Sequence, residues 1–188
     1  MDERLKVLRM LEEGKITAED AERLLRAIHG LKSYSAKENL DTVEIHLKAA
    51  NVRIFQKGDK LHADYEGYFH VDKREGLTVV KFSGDGEITI PEKSMLDLYI
   101  KAGNVVMNIR QDFRIYNKMG NAEITIEKPV NAEIKNRLGN VEITYECEPS
   151  AEFEVNNNLG NVDIPEFKKG DKKVVIENKL GSVTIERR

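Results

Sequence analysis

A glycine followed by Asn or Ser recurs five times in the second half of the chain, as Gly103-Asn104, Gly120-Asn121, Gly139-Asn140, Gly160-Asn161 and Gly181-Ser182. The steps between these glycines are 17, 19, 21 and 21 residues. Aligned on the glycine, five flanking columns are apolar in every unit. Seven residues before it stand Leu96, Phe113, Ala132, Phe153 and Val174, and five before it Leu98, Ile115, Ile134, Val155 and Ile176. One before it stand Ala102, Met119, Leu138, Leu159 and Leu180. Two after it stand Val105, Ala122, Val141, Val162 and Val183, and four after it Met107, Ile124, Ile143, Ile164 and Ile185. A period of two sends alternate side chains to one face of a strand, so all five columns read as core and the charged residues between them as solvent face.

One such unit cannot bury its own inner face, whereas units stacked at strand spacing bury a continuous core of like residues. The pattern therefore predicts a mainly β chain, a single-stranded β-solenoid or β-helix-like repeat domain over residues 41–188. The domain would have about seven turns or partial turns. Glycine supplies the positive φ of a sharp corner, so Gly103, Gly120, Gly139, Gly160 and Gly181 read as structural turns. Three residues earlier stand Asn117, Asn136, Asn157 and Asn178. By parity they face inward, where an amide must be hydrogen-bonded. The prediction is that each bonds its corner and that the four stack as a ladder. Val43, Ile45, Val52 and Ile54 flank Ala49-Ala50-Asn51, so Ala50 takes the place of glycine in an atypical first unit. The stretch around Gly67 and Gly86 reads as an N-terminal cap. No cap follows Val183-Thr184-Ile185, so the C-terminal edge is expected to be open and available for pairing with another chain.

Ahead of the repeats, Leu5, Leu8 and Leu11 fall at helical spacing and Gly14 stands where a C-cap belongs. Thr17 then reads as an N-cap, followed by Glu19 and Asp20 in the positive first turn. The second helix carries Ala21, Leu24, Leu25 and Ile28 on one face. Residues 1–30 are thus a helical hairpin, an oligomerisation or partner module, and 31–40 a polar linker. Helices this short are marginal alone, so their apolar stripes need each other, the repeat domain or a second molecule.

Charge and cysteine content exclude several functions. Lys, Arg, Asp and Glu make up 34% of the chain, yet the formal net charge is only −3. Residues 1–32 hold seven basic and seven acidic side chains, which argues against phosphate-backbone binding by the hairpin. No nucleic-acid partner is expected. Cys147 stands alone, so neither an internal disulfide nor a cysteine zinc cluster can form. A charged N-terminus and the lack of a long apolar run point to a cytoplasmic protein with no direct membrane insertion, able to reach a membrane through a partner. His29, His46, His62 and His70 show no metal-ligand spacing, and no phosphate loop or nucleophile motif occurs. No cofactor, metal or catalytic residue is expected.

The units LGNVEITYE and LGNVDIPEF resemble the bacterial putative-adhesin family, a β-strand-repeat domain of unknown function. So do the segments GDGEITIPEKSMLDLYIKAGNVVMNI and TVEIHLKAANVRIFQKGDKLHADYEG. The hairpin ERLKVLRMLEEGKITAEDAERLLRAI looks like the short helical module often attached to such domains. Together the likeness spans nearly the whole chain. The resemblance implies a non-enzymatic protein and an association with cell-envelope stress responses, known for some relatives in Gram-positive bacteria. It carries no catalytic motif.

Two charged columns are the candidate surfaces. Three residues after the glycines stand Glu123, Glu142 and Asp163, with Val106 and Thr184 in the same column. Stacked acids repel unless compensated, so they can be read as a cation site or as paired carboxylates for glycan hydrolysis. Two before the glycines stand Lys101, Lys118, Arg137 and Lys179, with Asn158 between the last two in sequence order. This column would offset the acids or bind an anionic polymer. Tyr99 and Tyr116 share one phase and should be outward neighbours. The leading reading is a self-associating, adhesin-like structural scaffold linked to the cell envelope, joined through the hairpin or the open edge into a homo-oligomer or to a protein partner. The alternative is a binding module for anionic or glycan polymers, and a glycan-active enzyme ranks behind both.

Overall fold

The computed structural model describes residues 3–28, 30–37, 41–167 and 169–188. His29 and residues 38–40 of the expected linker lie outside them. Two helices open the chain, α1 (Glu3–Glu12) and α2 (Ala18–Ile28). Gly14 ends α1 with φ of 68°. Thr17 caps α2, accepting the Asp20 amide at 3.1 Å and donating its hydroxyl to the Asp20 carboxylate at 2.9 Å. Val7 and Ala21 are buried where the helices meet, while Leu5, Leu8 and Leu24 stay exposed.

Among the described residues twelve strands follow: β1 (Lys32–Lys37), β2 (Thr42–Gln56), β3 (Lys60–Arg74), β4 (Leu77–Ile90), β5 (Met95–Ile100), β6 (Gly103–Ile109), β7 (Phe113–Asn117), β8 (Gly120–Ile126), β9 (Ala132–Tyr145), β10 (Ala151–Asn157), β11 (Asn161–Asp163) and β12 (Lys172–Arg187). Part of the stretch read as linker is therefore β1, which pairs antiparallel with β3. The pairing register follows the glycine alignment: Phe113 lies opposite Leu96, Ala132 opposite Phe113, and Val174 opposite Ala132.

The expected open β-solenoid or β-helix is not what forms. β2, β5, β7, β9, β8 and β6 pair in that order, and β6 returns to β2, all in parallel. The ladder is a closed six-stranded parallel barrel to which the other strands are added. Its closure depends on strand length. β2 and β9 run unbroken through their corners, while the two units between them are interrupted at Lys101-Ala102 and Lys118-Met119. Each long strand therefore pairs on both sides of its bend and joins the two ladders. Alignment of columns shows which residues neighbour one another but is blind to whether the ladder closes.

Unit order departs from chain order at both ends. β12 inserts between β9 and β10, and β4 stacks on the far side of β2. The C-terminal strand is thus an interior strand, and the free edge there belongs to β10 and β11 rather than to the chain end. At the other end, β3 and β1 pair antiparallel onto β4.

The corners cannot hold a side chain. Gly103, Gly120, Gly139, Gly160 and Gly181 have φ between 115° and 139°. A Cβ on Gly139 would lie 1.9 Å from the Gly120 carbonyl oxygen, and one on Gly181 1.9 Å from that of Gly139. The column just before the glycine is also not core. Met119, Leu138, Leu159 and Leu180 are 51, 49, 63 and 48% exposed. Between inward-facing Asn136 and Val141 the chain keeps four residues outside as it turns, so alternation fails at the corner.

Candidate functional site

The inserted β12 reshapes both charged columns. Asn178 lies opposite Asn136 and Leu180 opposite Leu138, which sets Lys179 beside Arg137. Asn157 pairs with Asn178, so Asn158 moves to the outer end. In space the basic row reads Lys101, Lys118, Arg137, Lys179, four cations in succession. In sequence Asn158 interrupts it. The same insertion breaks the acidic column. Glu123 and Glu142 are register partners, but Thr184 stands between Glu142 and Asp163.

The basic row makes no direct ion pair among the described residues, with the Glu177 carboxylate lining the cleft beside Lys118, Arg137 and Lys179. All four side chains are exposed. Neighbouring cations are paired: Lys135 with Glu133 at 2.8 Å and with Glu177 at 3.7 Å, Lys173 with Glu154 at 2.6 Å. Arg114 holds Asp97 through two bonds, Nε to Oδ1 at 2.7 Å and Nη2 to Oδ2 at 2.5 Å. Like charges about 4.8 Å apart on adjacent strands repel. An anion laid along the row relieves that repulsion.

Beside the row runs a column of rings. His46 stacks on Tyr99 with centroids 4.7 Å apart and planes at 7°, and Tyr99 stacks on Tyr116 at 4.8 Å and 8°. Lys135 Nζ closes the column 5.6 Å from the Tyr116 centroid. Stacked this way, the rings turn their positive edges outward. A cleft of about 550 Å3 opens over them, lined by His46, Lys48, Tyr68, Lys81, Tyr99 and Lys101 among others. A second, of about 250 Å3, continues past Tyr116 to Lys118, Arg137 and Lys179. Burial, and then the Glu44 and Asp97 carboxylates, push the Tyr99 phenol above its ordinary pKa.

The asparagines form a continuous inner chain. Asn117 Nδ2 donates to Asn136 Oδ1 at 2.9 Å, Asn136 to Asn178 at 2.9 Å, and Asn178 to Asn157 at 3.0 Å. Each also donates to its corner glycine carbonyl, at 2.8 to 3.1 Å. An outer ladder runs just past the glycines, with Asn51 Nδ2 donating to Asp85, Asn104 to Asn51 and Asn121 to Asn104 at 2.9 to 3.1 Å. His62 bonds Asp64 at 3.2 Å, His46 bonds Glu44, and Lys81 separates His46 from His70 in the register. Among the described residues no group of three or more His, Cys, Asp or Glu side chains is placed to hold a metal ion. His46, Lys48 and Lys81 are the members of the site that sequence reading missed. The signal for two of them was there: with Ala50 as the corner, His46 falls four residues before it and Lys48 two before it, the phases of Tyr99 and Lys101.

The chain is similar in fold to a "putative cell adhesion protein" from Clostridium sporogenes, at a TM-score of 0.56 and 11% identity over 84% of this chain and all of that one. A "putative adhesin" from Bacteroides fragilis aligns at a TM-score of 0.38 and 13% identity, over 84% of this chain and 97% of that one. A family model described as a SHOCT-like domain matches residues 2–32, the segment that holds α1 and α2. No curated protein matches the chain in sequence.

Proposed function

We propose that this is a non-enzymatic, adhesin-like interaction module whose binding face is the basic row along the ring column, and that this face takes a multivalent anionic ligand. One observation carries the reading. Insertion of β12 makes Lys101, Lys118, Arg137 and Lys179 contiguous, four exposed cations with no direct ion pair among the described residues, while it divides the acidic column. A linear polyanion laid across the strands would meet a cation about every 4.8 Å. Tyrosine hydroxyls and positive ring edges flank it.

The test is a pull-down of the full chain on immobilised polyphosphate, with neutral dextran as control. Binding should be retained at about 0.05 M salt, weaken steeply by about 0.2 M, and fall at least tenfold in Lys118→Ala/Arg137→Ala. Equal binding by the double variant would refute the assignment of this face.

A second reading concerns assembly. Leu5, Leu8 and Leu24 are 60, 45 and 40% exposed, which favours the hairpin as the element that joins copies of the chain or engages a protein partner. Light scattering on the full chain and on a chain starting at Lys32 tests it. An oligomer that becomes a monomer on truncation supports the role, and an unchanged mass refutes it.

A further inference from the structure

The basic row does not stand alone at the corner. Each of its cations is followed by an apolar residue: Lys101 by Ala102, Lys118 by Met119, Arg137 by Leu138 and Lys179 by Leu180. Met119, Leu138 and Leu180 are about half exposed, and Leu159 extends their line at 63%. Two straight rows, one cationic and one apolar, thus run side by side across the strands. The cation row spans about 14 Å, three steps of strand spacing.

From this pairing we infer that the partner of the basic face is an anionic lipid surface, on which the protein adsorbs through the corner edge. The inference rests on the reading of the basic row as an anion-binding face. A soluble polyanion accounts for the cations only. It leaves the row of exposed Met and Leu one residue away without a role, and contiguous apolar surface of that kind marks an interaction site. A bilayer interface satisfies both rows at once. Phosphates meet the ammonium and guanidinium groups, whose long stems let them reach headgroups while the neighbouring side chains enter the acyl boundary. Met119, Leu138 and Leu180 lie at the bend of the sheet, each directly after a cation of the row. The geometry is peripheral adsorption. No described helix is long and apolar enough to cross a membrane.

Flotation of the full chain with vesicles of equal phosphatidylglycerol and phosphatidylcholine, against phosphatidylcholine alone, tests the inference. Each cation near an anionic surface strengthens partitioning about fivefold, so a preference of at least a hundredfold is expected for four. Met119→Ser/Leu138→Ser/Leu180→Ser should lower vesicle binding tenfold or more while polyphosphate binding stays unchanged, which also shows the variant is folded. Polyphosphate binding without vesicle binding, or vesicle binding indifferent to the triple serine variant, overturns the lipid inference and leaves the anion-binding face standing. Failure to bind either probe removes both.

Discussion

Truncating Asn136 should cost far more than truncating Asn157, although both occupy the same position in their units. Asn136 lies mid-ladder and is 1% exposed. It accepts from Asn117 and donates to Asn178 Oδ1 and to the Gly139 carbonyl, each at 2.9 Å. Asn136→Ala therefore strips a partner from three groups, two of them on the buried side chains of Asn117 and Asn178. A buried polar group left unsatisfied costs about 1–3 kcal/mol. For the two groups on buried side chains the sum is about 2–6 kcal/mol, a large share of the stability of an ordinary domain. Asn157 sits at the outer end of the ladder and is exposed. Water can replace its bonds to Gly160 and Asn178, so Asn157→Ala should cost no more than about 1 kcal/mol. Urea unfolding followed by circular dichroism measures both. Equal losses, or a larger loss at Asn157, would refute the ladder as a source of stability.

Other outcomes follow from the same structure. Gly139→Ala should prevent folding, because its Cβ would meet the Gly120 carbonyl and its φ of 120° is strained for alanine, whereas Gly14→Ala, with nothing nearby, should cost about 1 kcal/mol; soluble expression and melting temperature separate them. Asp97→Asn should cost about 2 kcal/mol in urea, since it breaks a pair in which Asp97 is buried and Arg114 is 40% exposed. Burial pushes the phenols of Tyr145 and Tyr99 upward. The unfolded chain therefore loses these protons first, and stability should decline as pH rises above about 10. Absorbance at 295 nm should show Tyr145 ionising only as the fold is lost; titration of all tyrosines below the unfolding pH would contradict its burial.

The columns were legible because strand alternation and glycine corners are local facts. Phe113 opposite Leu96, and Asn136 donating to both Gly139 and Asn178, involve positions that the glycine alignment already places in line. Three things were not legible, each for a physical reason. The units are near copies, so any order of stacking satisfies the same columns. Nothing in the residue classes says that β12 lies between β9 and β10, and Lys179 appears separated from Arg137 until it does. Parity holds along a strand but not round a bend, which is why Met119, Leu138, Leu159 and Leu180 read as core and lie outside. Barrel closure depends on whether β2 and β9 run straight through their corners, a property of chain continuity that side-chain pattern does not report.

The functional account depends most directly on Lys179 standing next to Arg137. In a Cys147→Ser background, Arg137→Cys/Lys179→Cys places two thiols on adjacent strands about 4.8 Å apart, within the Cα range of a disulfide. Arg137→Cys/Asn158→Cys places them two strands apart. Copper-catalysed oxidation, read by a non-reducing gel shift and mass spectrometry, should cross-link the first pair within one chain and leave the second as free thiols. Cross-linking of the 137/158 pair instead would mean that the units stack in chain order, and the continuous cation row would not exist.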